Sequence, residues 1–259
     1  NHIVVSTSDV LAHGDGSTSL IMSQARNILS AADLQVGGVE ALSYPVEGQL
    51  RTEILTAYGL FDLMDIGVAL PVLAYQWGDD LGGIDRGGEE VDGTVLGDIR
   101  IHPRIRFVER QATGGLGVAL AASLHLPTGD VNSFNSMGVF RAEPRLILDW
   151  LSSDGRLAIA TNLGYHVGPR YVYRGLVFDD DLRWGASLQS ELAIGDYAFV
   201  ATFGARGSVP LEMSLGAGDL SKVGVPVELL GALKLPLSHH LVSEIGYAQS
   251  PSTGIGAPG

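Results

Sequence analysis

Apolar and polar side chains alternate along this chain in runs of roughly 11 to 14 residues, and the joints between runs are by turns short and long. The short joints fall at Phe61–Leu63, Arg110–Thr113, Ser152–Asp154, Ile194–Asp196 and Ser238–His239, about 42 to 50 residues apart. A period of two fits a strand with one apolar face and does not fit a helix, whose period is about 3.6 residues. Ordinary globular strands average ~5–6 residues, whereas these runs reach the ~9–11 tilted residues that cross a bilayer. Strand, long loop, strand, short turn, repeated, is the pattern of a transmembrane barrel with long loops outside the cell and short turns facing the periplasm. The sequence therefore predicts an all-β, antiparallel, up-and-down transmembrane β-barrel of about twelve strands in the bacterial outer membrane, with the lipid bilayer and lipopolysaccharide as its surroundings.

Eleven runs are legible, at 16–25, 49–60, 64–77, 95–108, 115–126, 137–150, 155–166, 182–193, 197–208, 225–237 and 240–249. Residues 1–14 are read as an N-terminal segment and 15–259 as the barrel domain. Single-chain barrels usually have an even number of strands, so a twelfth, returning strand is expected after Gly259. The alternative is that His2–Leu11 supplies it. Pro71, Pro103, Pro144 and Pro236 fall inside predicted strands, where each removes a ladder donor and implies a bulge or a local end.

The alternation sorts charges onto one face. In the run 95–108, Ile99, Ile101, Pro103, Ile105 and Phe107 oppose Asp98, Arg100, His102, Arg104 and Arg106. In the run 137–150, Phe140, Ala142, Pro144, Leu146, Leu148 and Trp150 oppose Arg141, Glu143, Arg145 and Asp149. The run 115–126 sets Leu116, Val118, Leu120, Leu124 and Leu126 against small residues and His125. Arg183, Glu191, Arg206, Glu228, Lys234 and Glu244 extend the polar face around the later strands, giving a predicted lumen-facing charged network. One reading is a lumen filled by ion pairs, since desolvated charges must pair. The other is a basic stripe that biases a narrow pore towards anions. The near balance of acids and bases favours the first.

Composition agrees with the membrane. The chain of 259 residues is 46% hydrophobic and 17% charged, where a soluble domain carries about a quarter charged residues. No run approaches the ~18–20 apolar residues of a spanning helix. The absence of Cys excludes disulfides and thiolate chemistry. Of the net charge of −13, most falls in the long joints 25–48, 78–94, 127–137, 167–181 and 209–224, a surface that repels nucleic acid.

Chemistry is sparse. There is no Walker motif, no H-E-x-x-H and no G-x-S-x-G, so a non-enzymatic role without cofactor is expected. Gly254–Gly259 matches G-x-G-x-x-G by letter only, because no helix can follow and Pro258 sits inside it. His239–His240 read as a solvated turn. Asp79 and Asp80, with Asp179, Asp180 and Asp181, are weak calcium candidates that lack the spacing of a calcium loop; solvated loop charge is the reading kept.

Val95-Leu96-Gly97-Asp98-Ile99-Arg100 with Pro103, then Leu126-Pro127-Thr128-Gly129-Asp130, Glu143-Pro144-Arg145-Leu146 and Asn162-Leu163-Gly164-Tyr165 resemble the N-terminal barrels of OmpA-family outer-membrane proteins. That resemblance implies a structural or partner-binding envelope module, with a cell-surface adhesin, an envelope machine or a periplasmic protein as partner and a peptidoglycan-binding domain further along the chain. A related pattern, G-D-x-R followed by L-P-T-G, also occurs in barrels assigned to phenol-pathway or fatty-acid-type transport. It implies the alternative, a passive pore or small-solute transporter.

Overall fold

Each of the eleven predicted runs is found in strand, that at 95–108 as two pieces, and successive runs pair antiparallel. The structure is a computed structural model that describes residues 5–34, 40–77, 94–129, 131, 136–173, 176–178, 180–194, 197–211, 226–238 and 241–251. Its strands are β1 (Gly16–Leu34), β2 (Glu40–Leu60), β3 (Met64–Trp77), β4 (Val95–Leu96), β5 (Arg100–Val108), β6 (Leu116–His125), β7 (Arg141–Leu151), β8 (Leu157–His166), β9 (Tyr171–Tyr173), β10 (Leu176–Phe178), β11 (Asp181–Ile194), β12 (Tyr197–Pro210), β13 (Val227–Pro236) and β14 (Val242–Gln249). Twelve of them belong to one sheet, ordered β1-β2-β3-β5-β6-β7-β8-β11-β12-β13-β14, with β4 pairing on β3. Side chains of β2, β3, β5, β6, β7, β8 and β12 line a single cavity, so the sheet curls round an interior as an antiparallel barrel.

The differences from expectation have local causes. The joint 25–48 is not a loop over its whole length: β1 and β2 stay paired up to Leu34↔Glu40. A ladder needs no apolar face once it has left the bilayer, so the loss of alternation does not end these strands. The joint 167–181 holds the small hairpin β9–β10. The run 95–108 breaks in two opposite Pro71. There β3 pairs with β4 through Val72↔Leu96 and with β5 from Ala69↔Arg100, and the Pro71 carbonyl accepts the Gly97 N–H at 2.9 Å. Pro103 sits where the β5–β6 register runs from Ile101↔Leu124 to Arg104↔Ala121, and Pro236 closes β13. Each ring thus occupies a gap or an end of a ladder, where no N–H is required.

Parity is as predicted. On β7, Leu146, Leu148 and Trp150 are exposed while Glu143, Ile147 and Asp149 are buried. Leu116 and Leu120 on β6, Leu182 and Leu188 on β11 and Leu229 and Leu233 on β13 continue the exposed apolar band. Exposure of so many large apolar side chains would be a liability in water and is what a lipid-facing surface requires. This is the architecture of a bacterial outer-membrane barrel.

The segment before β1 is no strand. Residues 5–11 leave the ladder and pass into the interior, so the alternative role for His2–Leu11 does not hold over the residues described. Val5, Thr7 and Ser8 are among the most buried residues of the chain.

Candidate functional site

The interior is built around that segment, which arrives from the short-turn end. The β2–β3 turn places Phe61 and Asp62 at positive φ, and the two residues clasp His13. The Asp62 carboxylate accepts the His13 N–H at 2.7 Å, and the Phe61 N–H donates to the His13 ring at 3.1 Å. Deeper in, Asp65 on β3 accepts the Leu11 N–H at 3.3 Å, while the exposed Asp9 pairs with Arg110 beside the 3-10 turn Gln111–Thr113. Asp149 on β7 accepts the Ser8 N–H at 2.6 Å and the Ser8 hydroxyl at 2.8 Å. Arg104 on β5 donates to the Thr7 carbonyl at 3.0 Å. With its amide oriented to satisfy both polar atoms, Asn162 on β8 accepts from the Ser6 N–H at 2.9 Å and donates to the Ser6 carbonyl at 3.0 Å.

Glycines of the wall make the room. A Cβ at Gly117 of β6 would lie 2.1 Å from the Ser8 hydroxyl and 2.2 Å from the Asp149 carboxylate. One at Gly59 would lie 2.0 Å from the Ala12 carbonyl, and one at Gly185 3.2 Å from a Val5 methyl. Real Cβ contacts essentially never fall below about 3 Å, so Gly59, which faces backbone, admits no other residue while the segment is seated, and a side chain at Gly117 forces the Ser8, Asp149 and Arg110 side chains to shift. Around it, cavities of about 520, 470 and 240 Å³ remain inside the barrel.

The predicted charges come together largely as ion pairs. Arg100 reaches over β3 to Glu53 of β2, and Arg104 pairs with Asp65 of the neighbouring β3. Glu143 accepts from Arg145 at 2.6 Å and from Arg183 at 2.8 Å, and Arg183 reaches on to Asp181 at 2.9 Å, whose other oxygen meets His166. Arg206 pairs with Glu228, and Lys234 lies 3.6 Å from Glu244. His102 contacts the Ser123 hydroxyl at 3.0 Å. Arg106 turns to the Asp62 carbonyl at the short-turn end, and Glu191, though exposed, lines the smallest of the three cavities.

Asp79, Asp80, Asp179, His239, His240 and Gly254–Gly259 lie outside the described residues. The Tyr165 hydroxyl and, less strongly, the Gly168 N–H hold the Asp180 carboxyl below the ordinary carboxylate range. With Asp181 committed to Arg183 and His166, neither offers a free metal ligand, and the described residues contain no group of three such side chains.

The sequence reading passed over Ser6, Ser8, Asn162 and Gly117. Their one signal was the small-residue side of β6, which leaves a lumen with something to fill it. Two of the four family-like motifs turn out to be a clasp. Asp98 accepts the Gly129 N–H at 3.1 Å and pairs with Arg141, while Thr128 accepts the Ile99 N–H at 2.9 Å. G-D-x-R and L-P-T-G thus lock the long-loop ends of β5 and β6 together, a structural task that barrels of different function can share.

Comparison with known proteins decides between the two resemblances. The family model described as "Putative MetA-pathway of phenol degradation" matches residues 30–210, more than half of the chain. The chain belongs to that family. The resemblance to OmpA-family barrels is thereby corrected, and with it the expectation of an OmpA-like structural or partner-binding module. Among solved structures, the outer membrane channel of Pseudomonas putida F1 has the same fold, with a TM-score of 0.59, 13% identity, and coverage of 95% of this chain and 91% of that one. No curated protein matches significantly.

Proposed function

We propose that this family member is an outer-membrane channel for small solutes, closed at rest by its own N-terminal segment. The observation that carries the reading is the seating of residues 5–11 inside the barrel on wall side chains instead of in the sheet. A barrel of about eight strands fills its lumen with wall side chains alone, and the diameter grows with strand number, so the wall of this sheet leaves room for the segment. Here the wall keeps glycines where the segment lies. The hydrogen bonds that hold it are each worth a net ~0.5–3 kcal/mol, the upper end for charged partners. Such a set can close the lumen and still be released. That the Pseudomonas putida protein of the same fold is an outer membrane channel supports the same reading. With short turns facing the periplasm, the segment enters from the periplasmic mouth. Because the wall charges are mostly paired, the open lumen discriminates weakly between cations and anions.

Gly117→Val tests this with the chain otherwise intact, since a branched side chain there pushes the Ser8 hydroxyl off its seat. In planar bilayers the wild type should pass brief, small currents and the variant a steady current several-fold larger. Heat-modifiable gel mobility reports whether both are folded. Equal, silent behaviour of two folded proteins would refute the channel reading.

A further inference from the structure

The wall holds the segment mainly by its backbone. Asn162 takes both the N–H and the carbonyl of Ser6, Arg104 takes the Thr7 carbonyl, and Asp149 and Asp65 take the N–H groups of Ser8 and Leu11. The Ser8 hydroxyl and the Asp9 carboxylate are held as well. A carboxamide that bridges the N–H and C=O of one residue recognises an extended amide unit, which every peptide offers and which no phenol or fatty acid has. Backbone groups are common to all sequences, so these wall residues have no means of telling their own segment from another peptide of small, polar residues.

Free space adjoins the seat. The cavity of about 520 Å³ is lined by Asp65, Arg104 and Asn162, and that of about 470 Å³ again by Asn162. A solute in either cavity meets a group that holds the segment.

From this arrangement we infer that the lumen wall is a receptor for an extended peptide backbone and that the solutes taken are short peptides of small and polar residues. The receptor stands on the contacts alone; the cargo rests on the channel reading. A peptide gains the Asn162 amide as Ser6 leaves it, so binding and opening are coupled by competition for one set of side chains.

The test uses the full chain carrying Ser8→Pro and Asp9→Ala, which loosens the segment and leaves the wall intact. In detergent it is titrated with the fluorescein-labelled peptide Val-Ser-Thr-Ser-Asp-Val-Leu-Ala-His, read by anisotropy. Saturable binding is expected. Methylating the two serine amide nitrogens of the peptide should weaken binding at least tenfold, as should Asn162→Ala in the wall, and phenol should not displace the label. The methylated peptide needs no change in the protein, so misfolding of the Asn162 variant leaves the test standing. Equal binding of the methylated peptide, displacement by phenol, or no binding to a protein folded by gel mobility would each overturn the inference. Bilayer current of the same protein separates the two readings. Peptide binding without current sinks the channel and leaves the receptor, whereas current without peptide binding sinks the receptor alone.

Discussion

Asp149 has no exposed side-chain surface, and its charge is met there by two donors of Ser8, with Arg110 3.9 Å away. A carboxylate buried in this way is costly when a donor is removed, so the residue ties the stability of the wall to the presence of the segment. Asp149→Asn keeps the shape and removes the charge. Charge-assisted hydrogen bonds are about twice as strong as neutral ones, and the exchange should weaken the seat by about 1–2 kcal/mol, or about five- to thirtyfold in the ratio of closed to open states. Limited proteolysis of the segment in detergent measures this directly. Cleavage between residues 5 and 13 should accelerate by that factor while the barrel strands stay resistant. An unchanged rate would mean that Asp149 does not hold the segment.

At the level of the strand, one face must suit lipid and the other the lumen, and β7 shows both at adjacent positions. Leu146 is exposed on the outer band, and Arg145 is paired with Glu143 inside. An Arg facing the midplane costs ~2–4 kcal/mol, so Leu146→Arg should reduce the heat-modifiable folded fraction in liposomes. Arg145→Leu should leave insertion intact; the reverse order would invert the assigned faces. This level was the most legible in sequence, because period two is written into each strand by its own residues. The prolines marked the ladder gaps for the same reason: a missing N–H acts where it stands. The joint 25–48 was misread because pairing above the bilayer leaves no hydropathy signal. The seating of residues 5–11 inside the barrel was illegible because what fixes it lies far along the chain. Ser8 and Asp149 are 141 positions apart, and no local pattern encodes that contact. The family was misassigned because the short motifs that suggested it serve a strand clasp, which does not distinguish one kind of barrel from another.

For the molecule as a whole, a curled antiparallel sheet supplies a lumen, paired charges bring its wall near neutrality, and on the proposed reading the N-terminal segment decides whether the lumen is open. That last statement is the central one, and the absence of native Cys allows it to be tested without background. A side chain at position 117 comes within reach of one at position 8, and a disulfide needs S–S of about 2.05 Å with Cβ atoms ~3.5–4.5 Å apart. The chain carrying Ser8→Cys and Gly117→Cys can therefore be tied shut by oxidation and released by reductant. The measurement is single-channel conductance of this variant in a planar bilayer, followed through one cycle of oxidation and reduction. The account predicts silence when oxidised, a steady current within minutes of adding reductant, and silence again after reoxidation. Current of the same size in both redox states, with the disulfide confirmed by mass spectrometry, would contradict it.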